Sequence, residues 1–531
     1  MGKTVNTAVL VLAAGSIKNK YRSFSFLYDS PALIPVASRS CCSFILDFYS
    51  NQPVKLYLVI NEKDKKDVAN DLSGYHALNI ISVTETVGIN DTLQQALEQI
   101  KEDSVIINLV TTIPVEYPQP DTVYIDKSFS QNEYYSGFIF KNNKITFKRK
   151  GDGNESKFQA FTGVFRTGKK AIQNALKKVK SKSDLLEVVQ VLQSSAKLKY
   201  EAIEWIDLGH EINYADARKK LLSSRVFNAI SVNNNSGTLK KKSRNKVKLA
   251  NEIKYIAMLP GEFQLLYPRI VSANAENGEA EMEYYGYPNL SEYQLYRTIE
   301  PSQWEKAFSL LQYIIEQMKT HRFSIGKNTH MQFYYSKTNE RIAQFKKEMG
   351  TEPLVNKKEV VINGLPCKNF EVLRPRVLQR IEKLYNEEDF SIMHGDLCFN
   401  NILFDIFSNT LKLIDPRGSF GENCVGIYGD IKYDIAKLLH SSVSHYDYIV
   451  NNLFRYKEGK NEVQYSFPLR ENAALLESLS LKLVKHLGYD RDDLMFIVGL
   501  LFLSMCPLHP GNTDRQKLMY FHGIYLINKH L

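Results

Sequence analysis

From Thr7 to Gly15 the chain reads TAVLVLAAG, an unbroken apolar run that closes on small residues. Such a run predicts a strand buried on both faces that feeds a loop able to face phosphate. Lys3 lies just ahead, as in a secretory leader, but the run is short and leads directly into further alternating elements, so the strand reading holds. Strand-like stretches at Val54–Ile60 and Val105–Val110 flank helical patterns near Lys63–Leu72 and Thr92–Lys101. This alternation predicts an α/β layer with a mainly parallel sheet.

After Tyr214–Ser224, the nearest thing to a boundary, the pattern changes. Arg225–Val232 reads as a strand, Asn233–Gly237 as a turn and Thr238–Ser243 as the partner strand. A helix is expected from about Asn245 to Met258, stopped by Leu259-Pro260-Gly261, and another from Gln303 to Lys319 with Ala307, Leu310, Leu311, Ile314, Ile315 and Met318 on its apolar face. Ile402-Leu403-Phe404 and Leu411–Ile414 form a hairpin around a turn at Asp405–Asn409. The longest apolar segment, near Leu494–Cys506, is too short to span a bilayer and reads as a core helix. Two domains are therefore expected, 1–218 and 219–531, the second split into lobes at about 224–293 and 294–531.

The chemistry concentrates in SIMHGDLCFNNILFDIFSNTLKLIDPRGSFG, from Ser391 to Gly421. Asp396 follows the His394-Gly395 turn, Asn401 comes five residues later, and Asp415 ends the return strand of the hairpin. Phosphoryl transfer from a nucleotide needs this set: one carboxylate for the attacking hydroxyl, one amide and one carboxylate for magnesium. The plain alternative is that both aspartates merely cap turns. Upstream, a strand lysine paired with Glu252 would hold the nucleotide phosphates. Alternation puts Lys240 and Lys242 on one face and Lys241 on the other. Lys242 is favoured, Lys241 is its rival, and a solvated basic run is the bland account. Met282-Glu283-Tyr284-Tyr285 would be the hinge strand, with Glu283 and Tyr284 meeting the adenine edge, although its tyrosines could equally be packing residues.

Two resemblances sharpen this. His394-Gly395-Asp396 has Gly where protein kinases usually carry Arg, and Asp415-Pro416-Arg417-Gly418 stands where they have Asp-Phe-Gly. Both variants resemble the aminoglycoside phosphotransferase and choline kinase group, which implies a two-lobed α+β protein-kinase-like fold. The resemblance implies Asp396 as the catalytic carboxylate, Asn401 and Asp415 as Mg2+ ligands and ATP as co-substrate. Asp434, in YGDIKYDIAKLL, would brace the catalytic loop through backbone NH groups, or else is an ordinary acid near a helix start. The first domain resembles sugar-phosphate nucleotidyltransferases at Leu12–Gly15, Pro31–Val36, Asn90–Leu97 and Glu204–Gly209. That likeness implies a Rossmann-like fold, with Asp207 as a metal ligand. The match fails where the chemistry lies. Ser16–Arg22 lacks the family's second Gly and early Arg, no Lys precedes Leu33 in the usual place, and Thr111 stands where a metal carboxylate belongs.

Composition fits two or three packed domains: 531 residues, 44% of them hydrophobic. Six cysteines without metal spacing suggest a reducing cytoplasm. The net charge of +10 is spread over Lys141–Lys150, Lys169–Lys182 and Lys240–Lys248 without a nucleic-acid motif, so small anionic ligands are expected and nucleic acid is not. The leading expectation is an ATP- and Mg2+-dependent kinase acting on a hydroxyl of a sugar, polyol or amino alcohol. Its first domain would be degenerate, and by analogy the pairing points to surface-polysaccharide precursors. A bifunctional kinase and nucleotidyltransferase, and a non-catalytic nucleotide-binding scaffold, are the alternatives. The acceptor pocket is expected from helices after Leu354, and the residues fix no oligomeric state.

Overall fold

A computed structural model gives the fold. Residues 1–5, 19, 22, 37, 85, 143, 153–156, 196, 223–227, 234 and 423, and the side chains of 222, 228 and 229, are not described. Lys3, Asn19, Arg22, Asn234 and the Arg225–Phe227 part of the expected strand therefore lie outside the described residues. The chain divides into two compact units, Met1–Lys220 and Leu221–Leu531.

In the first unit, β1 (Thr7–Leu12) is buried along its whole length. It pairs in parallel with β2 (Lys55–Asn61) on one side and with β4 (Ser104–Leu109) on the other, and β2 continues in parallel to β3 (Leu78–Val83). Helices α1 (Cys41–Ser50), α2 (Lys65–Asp71) and α3 (Ile89–Glu98) supply the crossovers that parallel strands need. The expectation of a mainly parallel sheet is corrected at its other edge. There β5 (Thr122–Ser130), β6 (Gly137–Lys141), β7 (Lys144–Lys148) and β8 (Phe158–Gly168) pair antiparallel, while β9 (Lys199–Ile203) joins β5 in parallel. The sheet is a mixed nine-stranded one, in the order β7-β6-β8-β4-β1-β2-β3 with β5 and β9 beyond β8. The hairpins of β5 to β8 are amphipathic and carry exposed aromatics such as Phe129 and Phe140, a pattern that suits one solvated face.

The second unit opens on a four-stranded antiparallel sheet, β10 (Asn228–Asn233), β11 (Thr238–Ser243), β13 (Glu279–Glu283) and β12 (Ile270–Asn274), in that order. Helix α4 (Lys246–Met258) lies on this sheet, packing Leu249 and Ile253 against Leu239, Ala280 and Met282. The rest is mainly helical: α5 (Pro301–Thr320), α6 (Lys337–Met349), α7 (Phe370–Leu384), α8 (Ile431–Ser442), α9 (Ala473–His486), α10 (Arg491–Met505) and α11 (Thr513–His530). All twelve residues of α8 are buried, its charged ones included. The apolar segment near Leu494–Cys506 falls in α10, buried from Leu494 to Ser504. Among the described residues no helix is long and apolar enough to cross a membrane. The hairpin β14 (Ile402–Asp405) and β15 (Thr410–Leu413) pairs antiparallel as its alternation requires. A further four-stranded sheet, built from Glu359–Ile362, Leu365–Lys368, Arg455–Glu458 and Glu462–Ser466, was not foreseen.

Candidate active site

The loop after Ile392 and the loop after β15 are stitched together by backbone. The Arg417 NH donates to the His394 carbonyl (2.9 Å) and the Ile414 NH to the Asn401 carbonyl (3.0 Å). His394 completes the seam from a fully buried position. The Asp396 NH donates to its Nδ1 (3.2 Å), so the proton sits on Nε2, which bonds the Ile414 carbonyl (3.1 Å). Burial pushes the imidazole down to about 4, which keeps it neutral and fixes that tautomer. Two glycines permit the approach. Gly395 has φ +78, and a Cβ there would lie 2.6 Å from Cβ of Arg417. Gly418 has φ +68, and its Cβ would lie 2.3 Å from the Asn251 carbonyl on α4. Asp415 itself adopts φ +57, a left-handed conformation that Asp tolerates better than most residues.

Asp396 and Asn401 meet directly. The Asn401 Nδ2 donates to the Asp396 carbonyl (2.9 Å) and to its Oδ2 (3.2 Å). That commitment turns the amide oxygen, the atom able to bind a metal, away from the carboxylate. Burial acts to raise the Asp396 pKa, but the Lys437 ammonium 2.8 Å away outweighs it and holds the group at about 2. Lys437 comes from α8, one turn after Asp434. The Asp434 carboxylate accepts from the NH groups of His394 and Gly395 (2.8 Å for the latter). Burial lifts Asp434 to about 7 against those two hydrogen bonds. Of the two readings of Asp434, the brace is the observed one.

The lysine assignment is corrected. Lys242 is exposed and pairs with Glu279 (2.7 Å), and Lys240 lies near Glu281. It is Lys241 that turns inward, bonding Glu252 (2.7 and 2.9 Å) and Asp415 (2.6 Å). Leu239, two residues earlier on the same face, faces the α4 core, so the register of β11 carries Lys241 beneath the sheet. Lys241 and Glu252 are only 6% and 3% exposed, whereas Asp415 is 36% exposed. Burial raises Glu252 to about 7, with Lys241 opposing and Asp415 adding to the rise. Lys241 thus bridges two carboxylates, of which Asp415 is the one open to solvent. A divalent cation fits that donor set. Among the described residues no three His, Cys, Asp or Glu side chains gather as a metal cage. Such an ion would therefore rely on Asn401, Asp415, phosphate and water, as magnesium in nucleotide sites does.

The hinge expectation is also altered. The NH of Glu283 donates to the Arg269 carbonyl and that of Tyr284 to the Gly237 carbonyl, both at 3.0 Å, so neither can serve an adenine. The Glu283 carboxylate accepts from the Tyr285 hydroxyl (2.9 Å).

In the first unit the strand order reverses between β4 and β1, and it is outside the carboxyl ends of strands at such a reversal that open α/β sheets bind ligands. Thr112–Ile113, just past β4, pairs antiparallel with Ile206–Asp207, which brings Asp207 to that end. Its carboxylate is saturated by protein donors: Gly209 NH (2.7 Å), Tyr135 hydroxyl (2.7 Å), Asn213 amide (2.7 Å) and His210 Nδ1 (2.9 Å). Burial acts to raise the Asp207 pKa, but the His210 hydrogen bond and charge lead the effects that hold it low. Four protein donors thus engage the Asp207 carboxylate. Thr111 sits beside it, near Gly209, and supplies no second carboxylate.

No family model matches the chain, and no curated protein matches it. Solved structures resemble its first part. A protein described as a glucose-1-phosphate thymidylyltransferase from Bacillus anthracis is 15% identical, with a TM-score of 0.35, over 42% of this chain and 97% of that one. A UDP-glucose pyrophosphorylase bound to UDP-glucose is 12% identical (TM-score 0.33; 41% and 99%). An inositol-1-phosphate CTP transferase from T. maritima is 14% identical (TM-score 0.32; 42% and 99%).

Lys437 and Arg417 escaped assignment from sequence. The available signal was the spacing of Asp434 and Lys437, two charges one turn apart on a helix otherwise rich in buried apolar residues.

Proposed function

We propose that the second unit transfers the γ-phosphoryl group of a nucleoside triphosphate to a hydroxyl of a small molecule. The observation that carries this is the bridge of Lys241 between Glu252 and Asp415, beside the loop that holds Asp396 against Asn401. Glu252 orients Lys241 toward the phosphates. Asn401 and Asp415 would hold Mg2+, which neutralises charge on the phosphates when bound. Asp396, kept ionised by Lys437, accepts a hydrogen bond from the acceptor hydroxyl and takes its proton as the new O–P bond forms and the nucleoside diphosphate leaves. Little covalent work falls to the protein, so alignment and charge supply most of the acceleration. The Glu283 carbonyl and the Tyr285 NH are the hinge groups left to read an adenine. The test is acceptor-dependent ADP release by the full chain, dependent on Mg2+ and lost by at least a thousandfold in Asp396→Asn. An unchanged rate in that variant defeats the reading.

A second reading concerns the first unit and is favoured by the reversal of strand order beside β1. We propose that it binds a nucleotide sugar such as UDP-glucose there. Nucleotidyl transfer by the same unit is the stronger form of this reading, and pairing of the two activities would suit synthesis of activated surface-polysaccharide precursors. Pyrophosphate release from an NTP and a sugar 1-phosphate separates the two forms. With Asp207 saturated and Thr111 neutral, binding without release is expected.

A further inference from the structure

The charges around Asp396 do not balance. Lys337 opens α6 immediately after a wide turn with π-helical hydrogen bonding at Gln332–Ser336, a local geometry that gathers at functional sites. Its ammonium lies 4.5 Å from the centroid of the Phe333 ring and 6.0 Å from that of Tyr433. The Arg417 guanidinium lies 5.1 Å from the Phe333 centroid and 5.7 Å from that of Tyr433, and donates to the Tyr433 hydroxyl (2.9 Å). Lys437 stands 6.0 Å from the same Tyr433 ring and is taken by Asp396. Among the described residues no carboxylate pairs with Lys337 or Arg417. Three cations thus surround Tyr433 with one carboxylate between them. Burial, then Arg417 and Lys437, press the Lys337 ammonium well below its ordinary range. A cavity of about 10 Å³, room for one water, adjoins the cluster and is lined by Lys337 and Ser504 among mostly apolar and aromatic side chains.

We infer that the acceptor carries an anionic group, a carboxylate or a phosphate, which Lys337 and Arg417 bind against Tyr433 while Asp396 engages its hydroxyl. The inference rests on the phosphotransferase reading and narrows its substrate class. Holding unpaired cations together is unfavourable unless an anion joins them. The nucleotide's phosphates have Lys241 and the metal ligands, and Lys437 is committed to Asp396. The aromatic faces of Phe333 and Tyr433, which could otherwise attract a quaternary ammonium, are already covered by the protein's own cations. Choline-like acceptors are therefore disfavoured.

The full chain with Mg2+ and ATP is given a panel of neutral polyols and sugars, amino alcohols, hydroxy acids and sugar phosphates, and ADP release is followed. Turnover above the acceptor-free background is expected only with hydroxy acids or with sugar phosphates, and whichever responds identifies the anion. Lys337→Met and Arg417→Gln, checked for unchanged melting, should each raise the acceptor KM tenfold or more with the ATP KM unchanged, and Lys337→Arg should restore most of it. Turnover confined to neutral or cationic acceptors overturns the inference and leaves the phosphotransferase intact. So does failure of D-glycerate and glycerol 3-phosphate to bind by calorimetry when no panel member turns over. Absence of Mg-ATP binding that is sensitive to Lys241→Met removes the phosphotransferase reading itself.

Discussion

Residue by residue, the site works by setting charge against burial. Lys241 bridges Glu252 and Asp415, and removing it takes the bonded cation from Glu252, a carboxylate almost wholly buried. Breaking a buried pair from one side costs about 3–5 kcal/mol. Lys241→Met should therefore lower the unfolding midpoint of the second unit markedly and abolish turnover, whereas Lys242→Met should change neither. Equal effects of the two would contradict the inward register of Lys241. The Lys437–Asp396 pair makes a pH prediction. The folded-state pKa of Asp396 is depressed to about 2, so the carboxylate is ionised above that and is lost only as pH falls through it. Lys437→Met removes the largest of the effects that oppose burial, and the acid limb of kcat/KM should move upward by more than one pH unit. A limb that stays put would mean Lys437 does not set that charge. The sequence showed that one lysine of the triplet faces inward but favoured the wrong face. The deciding clue was Leu239: an apolar residue two before Lys241 marks the core side, while the face of Lys240 and Lys242 carries Thr238 in the matching place.

At the level of elements, legibility followed locality. The hairpin around Asp405–Asn409, the helix over Lys246–Met258 and the strand Thr7–Leu12 are encoded by period and by turn residues within a dozen positions, and each is found within a few residues of its expected limits. The mixed edge of the first sheet and the extra sheet of the second unit depend on strands from distant parts of the chain, which no local period reveals. The turn at Gln332–Ser336 is similar, because its widened hydrogen bonding has no residue signature. Helix α8 shows how an element transmits order to a loop. Asp434 spreads its two oxygens over the NH groups of His394 and Gly395, and an amide in its place offers one acceptor instead of two. Asp434→Asn should lower kcat at least tenfold with the nucleotide KM nearly unchanged. The same variant has a stability signature. Asp434 is raised from its ordinary value near 4 to about 7, so its contribution is full below the lower value and is lost as pH rises through the upper one. Wild-type protein should lose stability across that window with a slope of up to about 1.4 kcal/mol per pH unit. Asp434→Asn should flatten it, and identical slopes in urea titrations would discount the raised pKa.

For the molecule as a whole, the two units differ in how far their key carboxylates are already engaged. In the second, Lys241 bonds Glu252 and Asp415 beside the Asp396–Asn401 pair, and Asp415 remains partly exposed; in the first, the Asp207 carboxylate is engaged by four donors. A carboxylate satisfied in this way gains little from a metal, since each hydrogen bond would have to be surrendered to make room for it. Ligand binding through backbone groups at the carboxyl ends of β1 and β4 makes no such demand. The units should accordingly answer to different ligands. Calorimetric melting of the full chain is expected to show a transition raised by magnesium with a non-hydrolysable ATP analogue and a separate one raised by a nucleoside diphosphate sugar. A ligand at a hundred times its Kd adds about 2.7 kcal/mol to the state that binds it, enough to move a domain's midpoint by several degrees. Lys241→Met should cancel the first shift and spare the second. A substitution that crowds the loop after β1 with bulk and negative charge, such as Gly15→Glu, should do the reverse. If both ligands moved one common transition, or if Lys241→Met removed both shifts, the chemistry of the two units would not be separable and the first would have no site of its own.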